Sequence, residues 1–179
     1  MLDAAARLFG THRFHEVRME DIAAEAAVGK GTLYRYFQDK EELYRALLTR
    51  SSEQLLGRLE EVLQSARGAR RRLEVTVGAI IAFFDENPDV LDLIQRAEVY
   101  QRPGLASPWQ QTRDDLLRLV LGLFEAGHQQ GEFTIRHPEL AGLMLLGGLR
   151  SVIRFGKRPR APELACQIVS DFLRGANVS

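Results

Sequence analysis

Apolar residues in the first fifty positions of this chain recur at helical spacing in three short blocks. Leu2-Asp3-Ala4-Ala5-Ala6-Arg7-Leu8-Phe9 reads as an amphipathic helix that stops near Gly10-Thr11. Met19, Ile22, Ala23 and Ala26 fall at i, i+3, i+4 and i+7, which predicts a second helix with one buried face. In Val28–Gln38 only Leu33 and Phe37, four apart, form an apolar stripe, and polar and aromatic residues fill the rest of the turn. Three short helices with tight connections predict a helix-turn-helix unit.

The pattern changes after residue 39. Asp39-Lys40-Glu41-Glu42 sets an acceptor three residues before a Glu, the order of a capping box, and Leu43, Leu47, Leu48, Leu55, Leu59, Val62 and Leu63 continue for many turns. One long helix is expected, broken around Gly68 inside Arg67-Gly68-Ala69-Arg70-Arg71-Arg72, a basic run read as a solvated loop and helix start. A fifth helix over about Arg71 to Asp85 carries Val75, Ala79, Ala82 and Phe83 on one side. Pro follows a boundary residue in Asn87-Pro88, Ser107-Pro108, His137-Pro138 and Ala161-Pro162, and Pro suits the first helical position, where its missing N–H would be unpaired anyway. These pairs predict helices near 88–101, 108–130, 138–156 and 162–175. Only Phe133-Thr134-Ile135 alternates like a strand. The reading is all-α with about nine helices, a helix-turn-helix domain over 1–45 and a helical domain over 46–179.

Composition narrows the functional class. Hydrophobic residues make up 45% of the 179, enough for a sizeable core. No apolar run approaches the roughly 18 residues that span a bilayer, and the start carries no secretory pattern, so a cytoplasmic protein without a membrane partner is expected. Met1-Leu2-Asp3 leads directly into the first helix, leaving no room for an N-terminal arm in this sequence. Twenty-four Lys and Arg balance twenty-four Asp and Glu. Even residues 1–50 hold eight of each sign, so placement matters more than net charge. Asp3, Glu20, Asp21 and Glu25 belong to the first two helices, whereas Lys30, Arg35 and Lys40 cluster around the third. With Thr32, Tyr34 and Tyr36 they gather cationic and hydroxyl donors into about three turns, the division of labour of a DNA-reading helix.

The order Ala-Ala-x-x-Leu-Phe, then Asp21-Ile22-Ala23, then Gly31-Thr32-Leu33-Tyr34-x-Tyr36-Phe37 and Lys40-Glu41-x-Leu43 closely resembles the tetracycline-repressor (TetR) family of transcription regulators over about the first 48 residues. The resemblance implies an all-α homodimer whose second domain binds a small molecule and so controls DNA binding. It makes Lys30, Gly31, Thr32 and Tyr34 the face nearest the major groove of double-stranded operator DNA, with Arg35 within reach of a base edge. Tyr36 and Lys40 correspond to backbone clamps. Gly31, without a side chain, lets the helix approach the duplex. Lys can donate to guanine O6 and N7, and a Thr methyl or hydroxyl suits thymine or phosphate.

Two departures from the family pattern stand out. Arg18 occupies the position of a capping Thr or Ser and cannot accept the N-cap hydrogen bond; Asp21 offers partial compensation, and Arg18 either contacts phosphate or remains in solvent. The usual Ala-Gly-Val-Ser turn is here Ala26-Ala27-Val28-Gly29, which puts Ala27 in the left-handed conformation at a cost of about 1 kcal/mol. Gly29 replaces the Ser cap and is tolerated almost as well.

Leu140, Met144, Gly147, Gly148, Val152, Leu164, Ile168, Val169 and Phe172, on the last two helices, offer more apolar face than a surface helix needs. In the family this pair forms a four-helix bundle with a second subunit. Phe83, Gln95, Glu98, Tyr100, Trp109, Phe124, His128 and Met144 are candidates to line a cavity for an apolar or amphipathic effector, with Gln95 and Glu98 setting specificity. Each is individually ambiguous, and aromatics at helical spacing line a core more often than a pocket. Cys166 reads as a small packed residue and excludes a disulfide framework.

The expected function is a sequence-specific repressor released from a palindromic operator by such a ligand. An orphan regulator without effector, or a helical protein-interaction module, are the alternatives. An enzyme is not expected, nor a cofactor: His12-x-x-His15 lacks a third convincing ligand beside Glu16 and Asp21, His128 and His137 pair with no nucleophile, and no Gly-rich phosphate loop follows a strand.

Overall fold

The computed structural model describes residues 1–99 and 108–176, apart from the side chains of 95–99, 108 and 176. Among the described residues the elements are α1 Leu2–Thr11, α2 Met19–Glu25, α3 Lys30–Tyr36, α4 Lys40–Ser65, α5 Ala69–Glu86, α6 Pro88–Val99, α7 Pro108–Gln129, α8 Pro138–Phe155 and α9 Leu164–Ala176. The all-α reading holds. Phe133-Thr134-Ile135 forms no strand; Phe133 and Ile135 are simply buried, so their alternation reports packing of a loop on helices. Pro88, Pro108 and Pro138 each begin a helix as predicted, whereas α9 starts at Leu164, two residues after Pro162.

The chain divides into two compact units that do not follow chain order. The first comprises Met1–Gln54 with Asn87–Gln111, and the second Leu55–Glu86 with Thr112–Ser179. The sequence reading drew one boundary after residue 45. The first unit instead reaches further along α4 and takes in α6, which packs on α1. Gly10 makes that approach possible, because a Cβ there would collide with the Asp89 side chain.

The core of the first unit gathers Ala4, Ala5 and Phe9 of α1, Met19, Ile22 and Ala23 of α2, Leu33 of α3, and Leu43, Leu47 and Leu48 of α4. These are the helical stripes visible in the sequence. Between them sits an aromatic triangle: Phe14 stacks on Phe9 with centroids 5.5 Å apart, and Tyr44 meets both edge-on at 5.2 and 5.1 Å. The Tyr44 hydroxyl then donates to the Leu93 carbonyl, tying α4 to α6.

In the second unit α5 packs against α8 and α9, and a Cβ added at Gly78 would meet the Ala165 Cβ at 3.5 Å, an ordinary contact. Phe124 of α7 stacks on Phe172 of α9 at 5.8 Å. Distant residues secure two helix ends. The Glu132 carboxylate accepts the N–H groups of Ala69 at 3.0 Å and Arg70 at 2.8 Å, capping α5 after Gly68 turns the chain at φ 78°. The buried Arg160 guanidinium donates to the Val152 and Ile153 carbonyls at 3.0 Å each and pairs with Asp85 at 2.6 Å, closing the end of α8 against α5.

Candidate nucleic-acid interface

The α2–α3 turn is built as the sequence implied, including its strain. Ala27 adopts φ 52°; its N–H bonds the Ala24 carbonyl and the Val28 N–H bonds the Ala23 carbonyl, both at 3.0 Å. That pair of bonds is a Schellman closure with Ala where Gly normally sits. Gly29 then caps α3 from an extended conformation, and its carbonyl accepts the Thr32 N–H at 2.9 Å. At the start of α2, Arg18 contributes no side-chain cap, and the Asp21 carboxylate accepts the Arg18 N–H at 3.0 Å. Only the half of a capping box that chemistry permits is present, because a guanidinium has no acceptor to complete it.

Leu33 is fully buried and Phe37 half-buried, anchoring α3 along the predicted stripe. Lys30, Gly31, Tyr34, Arg35 and Tyr36 are exposed around it and Thr32 is half-buried. Tyr34 keeps 40% and Tyr36 58% of its surface open to solvent, a large aromatic exposure for so short a helix. The space over Gly31 is open, with no atom within 4 Å of where a Cβ would stand. Lys30 Nζ lies 5.7 Å from the Tyr34 ring centroid, and the Arg35 guanidinium 5.4 Å from that of Tyr36. Arg18 is also exposed.

Two features escaped the sequence reading. Lys30 pairs with Glu20 of α2 across the turn. The hydrogen bond from Lys30 holds the Glu20 carboxyl below its ordinary range, and the same contact raises the Lys30 ammonium, so both stay charged through neutral pH. Ten residues separate the pair, and no short spacing signals it. Lys40 is half-buried, and its ammonium donates to the carbonyls of Phe14 at 2.6 Å and Val17 at 2.8 Å beneath the Phe14 ring. Two of its three N–H groups are thus engaged within the protein, a role the backbone-clamp expectation did not contain. At the same helix end Asp39 accepts the Glu42 N–H at 2.7 Å, while Glu42 reaches the Gln38 N–H at 2.6 Å, one residue further back than a capping box would have it.

The second group of candidates fares unevenly. Along α8, Leu140, Leu143, Met144, Gly147 and Gly148 share one exposed face with Phe155, and Val152 is half-buried. On α9 Leu164, Ile168 and Phe172 are half-buried, Phe172 stacking on Phe124, but Val169 is fully buried within its own unit and serves the subunit core. Of the cavity candidates, Phe83, Trp109 and Phe124 are buried. His128 is exposed and bonded to Thr134 at 3.1 Å, and Met144 lies on the open α8 face, so neither points into an interior. Gln95, Glu98 and Tyr100 lie outside the described side chains. Cys166, expected to pack, is exposed.

Residues 1–47 match the profile of bacterial regulatory proteins of the tetR family, and residues 66–155 match that of the tetracyclin repressor-like C-terminal domain. The chain belongs to the TetR family of DNA-binding transcription regulators. Among its relatives, the transcriptional activator FasR of Mycolicibacterium smegmatis is 31% identical over 107 residues, which take in 60% of this chain and 49% of that protein. The chain therefore spans about half of that relative's length. A tetR-family regulatory protein from Rhodococcus RHA1 superposes with a TM-score of 0.84 at 21% identity, over 99% of this chain and 95% of the other. The regulator FadR from Bacillus subtilis, solved with stearoyl-CoA, superposes at 0.81 with 21% identity, over 98% of this chain and 97% of the other. These two share the fold.

Proposed function

We propose that this protein is a homodimeric repressor that reads a palindromic operator through α3 and releases it when a small apolar or amphipathic molecule binds the second unit. The observation that carries the DNA reading is the exposed face of α3: Lys30, Gly31, Tyr34 and Arg35 stand on buried Leu33, with open space above Gly31. Such a face can enter a major groove while Arg18, Tyr36 and the remaining N–H of Lys40 approach phosphates.

The apolar face of α8 supports dimerisation. Leu140, Leu143 and Met144 are all exposed there, and Gly147 and Gly148 leave room for a close helix approach. A two-fold dimer presents two α3 helices to half-sites about one helical turn, or somewhat more, apart. Ligand binding would select a conformer with the wrong spacing, with α4 as lever; typical coupling of about 1–3 kcal/mol changes operator affinity roughly 5- to 150-fold. FadR's complex with stearoyl-CoA makes a long-chain acyl thioester the first effector to test.

Selection of genomic fragments by the purified protein tests the reading. The expected result is enrichment of an inverted repeat whose binding weakens steeply with salt and is relieved by stearoyl-CoA or a related amphiphile. Absence of any enriched fragment would overturn it. Derepression of a reporter on deleting the gene, rather than loss of expression, establishes the repressor direction.

A further inference from the structure

The Lys30–Glu20 pair lies beside the face assigned above to DNA. A carboxylate brought against a duplex meets the negative potential of the phosphates and is penalised unless it finds a donor or keeps a cation. Glu20 keeps two: Lys30 hydrogen-bonds it, and Arg18 acts on it through its charge. Its carboxylate therefore remains ionised on an exposed surface, with about half of its side chain still open. A backbone hydrogen bond at the start of α2 also stabilises the ionised Glu20, while Asp21 separately answers the N-cap by accepting the Arg18 N–H.

The chemistry of the pair suggests a use. In the major groove an ammonium donates to guanine O6 and N7, whereas a carboxylate accepts from the cytosine N4 amino group. Lys30 and Glu20 bring one such donor and one such acceptor together. Lys30 also lies 5.7 Å from the Tyr34 ring centroid, and no protein atom stands within 4 Å of where a Cβ on the adjacent Gly31 would be. We propose that Glu20 is a second base-reading group, accepting from a cytosine amino group next to the guanine contacted by Lys30. This rests on the DNA-binding function proposed above.

Selection from a randomised duplex library by the full chain, repeated with Glu20→Ala and Glu20→Gln, tests it. The wild type is expected to enrich a cytosine at one position of each half-site. Glu20→Ala should lose that preference, and that one alone, by about tenfold. It should also bind scrambled DNA more tightly, with a salt slope steeper by about one as Lys30 is freed for phosphate. Glu20→Gln should shift the same position toward adenine, because an amide can bond adenine N6 and N7 together. The same consensus from the wild type and both variants would overturn the role of Glu20. A wild type that enriches no sequence would overturn the DNA-reading surface itself.

Discussion

The Lys40 ammonium lies 4.5 Å from the centroid of the Phe14 ring and donates to the carbonyl of the same residue at 2.6 Å. With the second bond to Val17, one side chain at the start of α4 fastens both ends of the segment that leads into α2. The orientation of the α2–α3 pair thus depends on a group that the sequence marked only as a phosphate contact.

Lys40→Ala is expected to lower the unfolding free energy by about 1–3 kcal/mol, since it removes two charge-assisted bonds and a cation–π contact from a half-buried position. It should weaken operator binding as well, through lost orientation and through the phosphate contact proposed for the third N–H. Losing that contact lowers the salt slope by about one. Chemical denaturation and salt-dependent binding measure the two effects separately. Unchanged stability would refute the carbonyl clamp.

Ala27 holds φ 52° because the two bonds of its Schellman closure over-determine the turn. A residue with a Cβ is strained there, and glycine is not. Ala27→Gly should therefore raise stability by about 0.5–1 kcal/mol, the strain relief being partly offset by greater freedom of the unfolded chain. A rise in the urea midpoint at constant slope, with operator affinity unchanged, is the expected observation. A fall in the midpoint would show that the turn carries no strain.

How much was legible in the sequence follows from the range of the interactions involved. Met19, Ile22 and Ala23 on α2 and Leu33 on α3 advertise their burial through spacing along their own helices, and Ala27 reveals its strain by standing where a turn needs Gly. Both are local signals. The Glu132 cap on α5 comes from 63 residues away, Arg160 reaches Asp85 across 75, and the Lys30–Glu20 pair spans a turn with no diagnostic spacing. Nothing in a linear pattern encodes such meetings. Val169 illustrates the opposite error: α9 is apolar enough for two faces, and periodicity cannot tell the face that meets α5 and α7 from one left open.

Gly31 separates folding from recognition. An added Cβ meets nothing within 4 Å in the protein, and alanine is the better helix former, so Gly31→Ala should fold as well as the wild type or up to about 1 kcal/mol better. If the open space admits DNA, the new methyl group occupies it and operator affinity falls. Thermal melting and operator titration of the one variant check both halves. Undiminished binding would remove Gly31 from the proposed interface.

The exposed α8 face and the buried α9 residue Val169 make opposite predictions for the dimer. Met144 is 65% exposed and contributes little to the subunit's own core, so Met144→Arg should leave helicity and intrinsic subunit stability nearly intact. In a dimer closed through α8 it sets a charge in an apolar contact beside its symmetry mate, and the protein should sediment as a monomer. Operator affinity should collapse with it, because one half-site alone holds a single α3. Val169→Ala removes two methyl groups from a fully buried site and should cost about 1–3 kcal/mol of subunit stability without placing a charge in any interface. Sedimentation and denaturation of the two variants together locate the interface. A dimeric Met144→Arg protein with normal operator binding would move it away from α8.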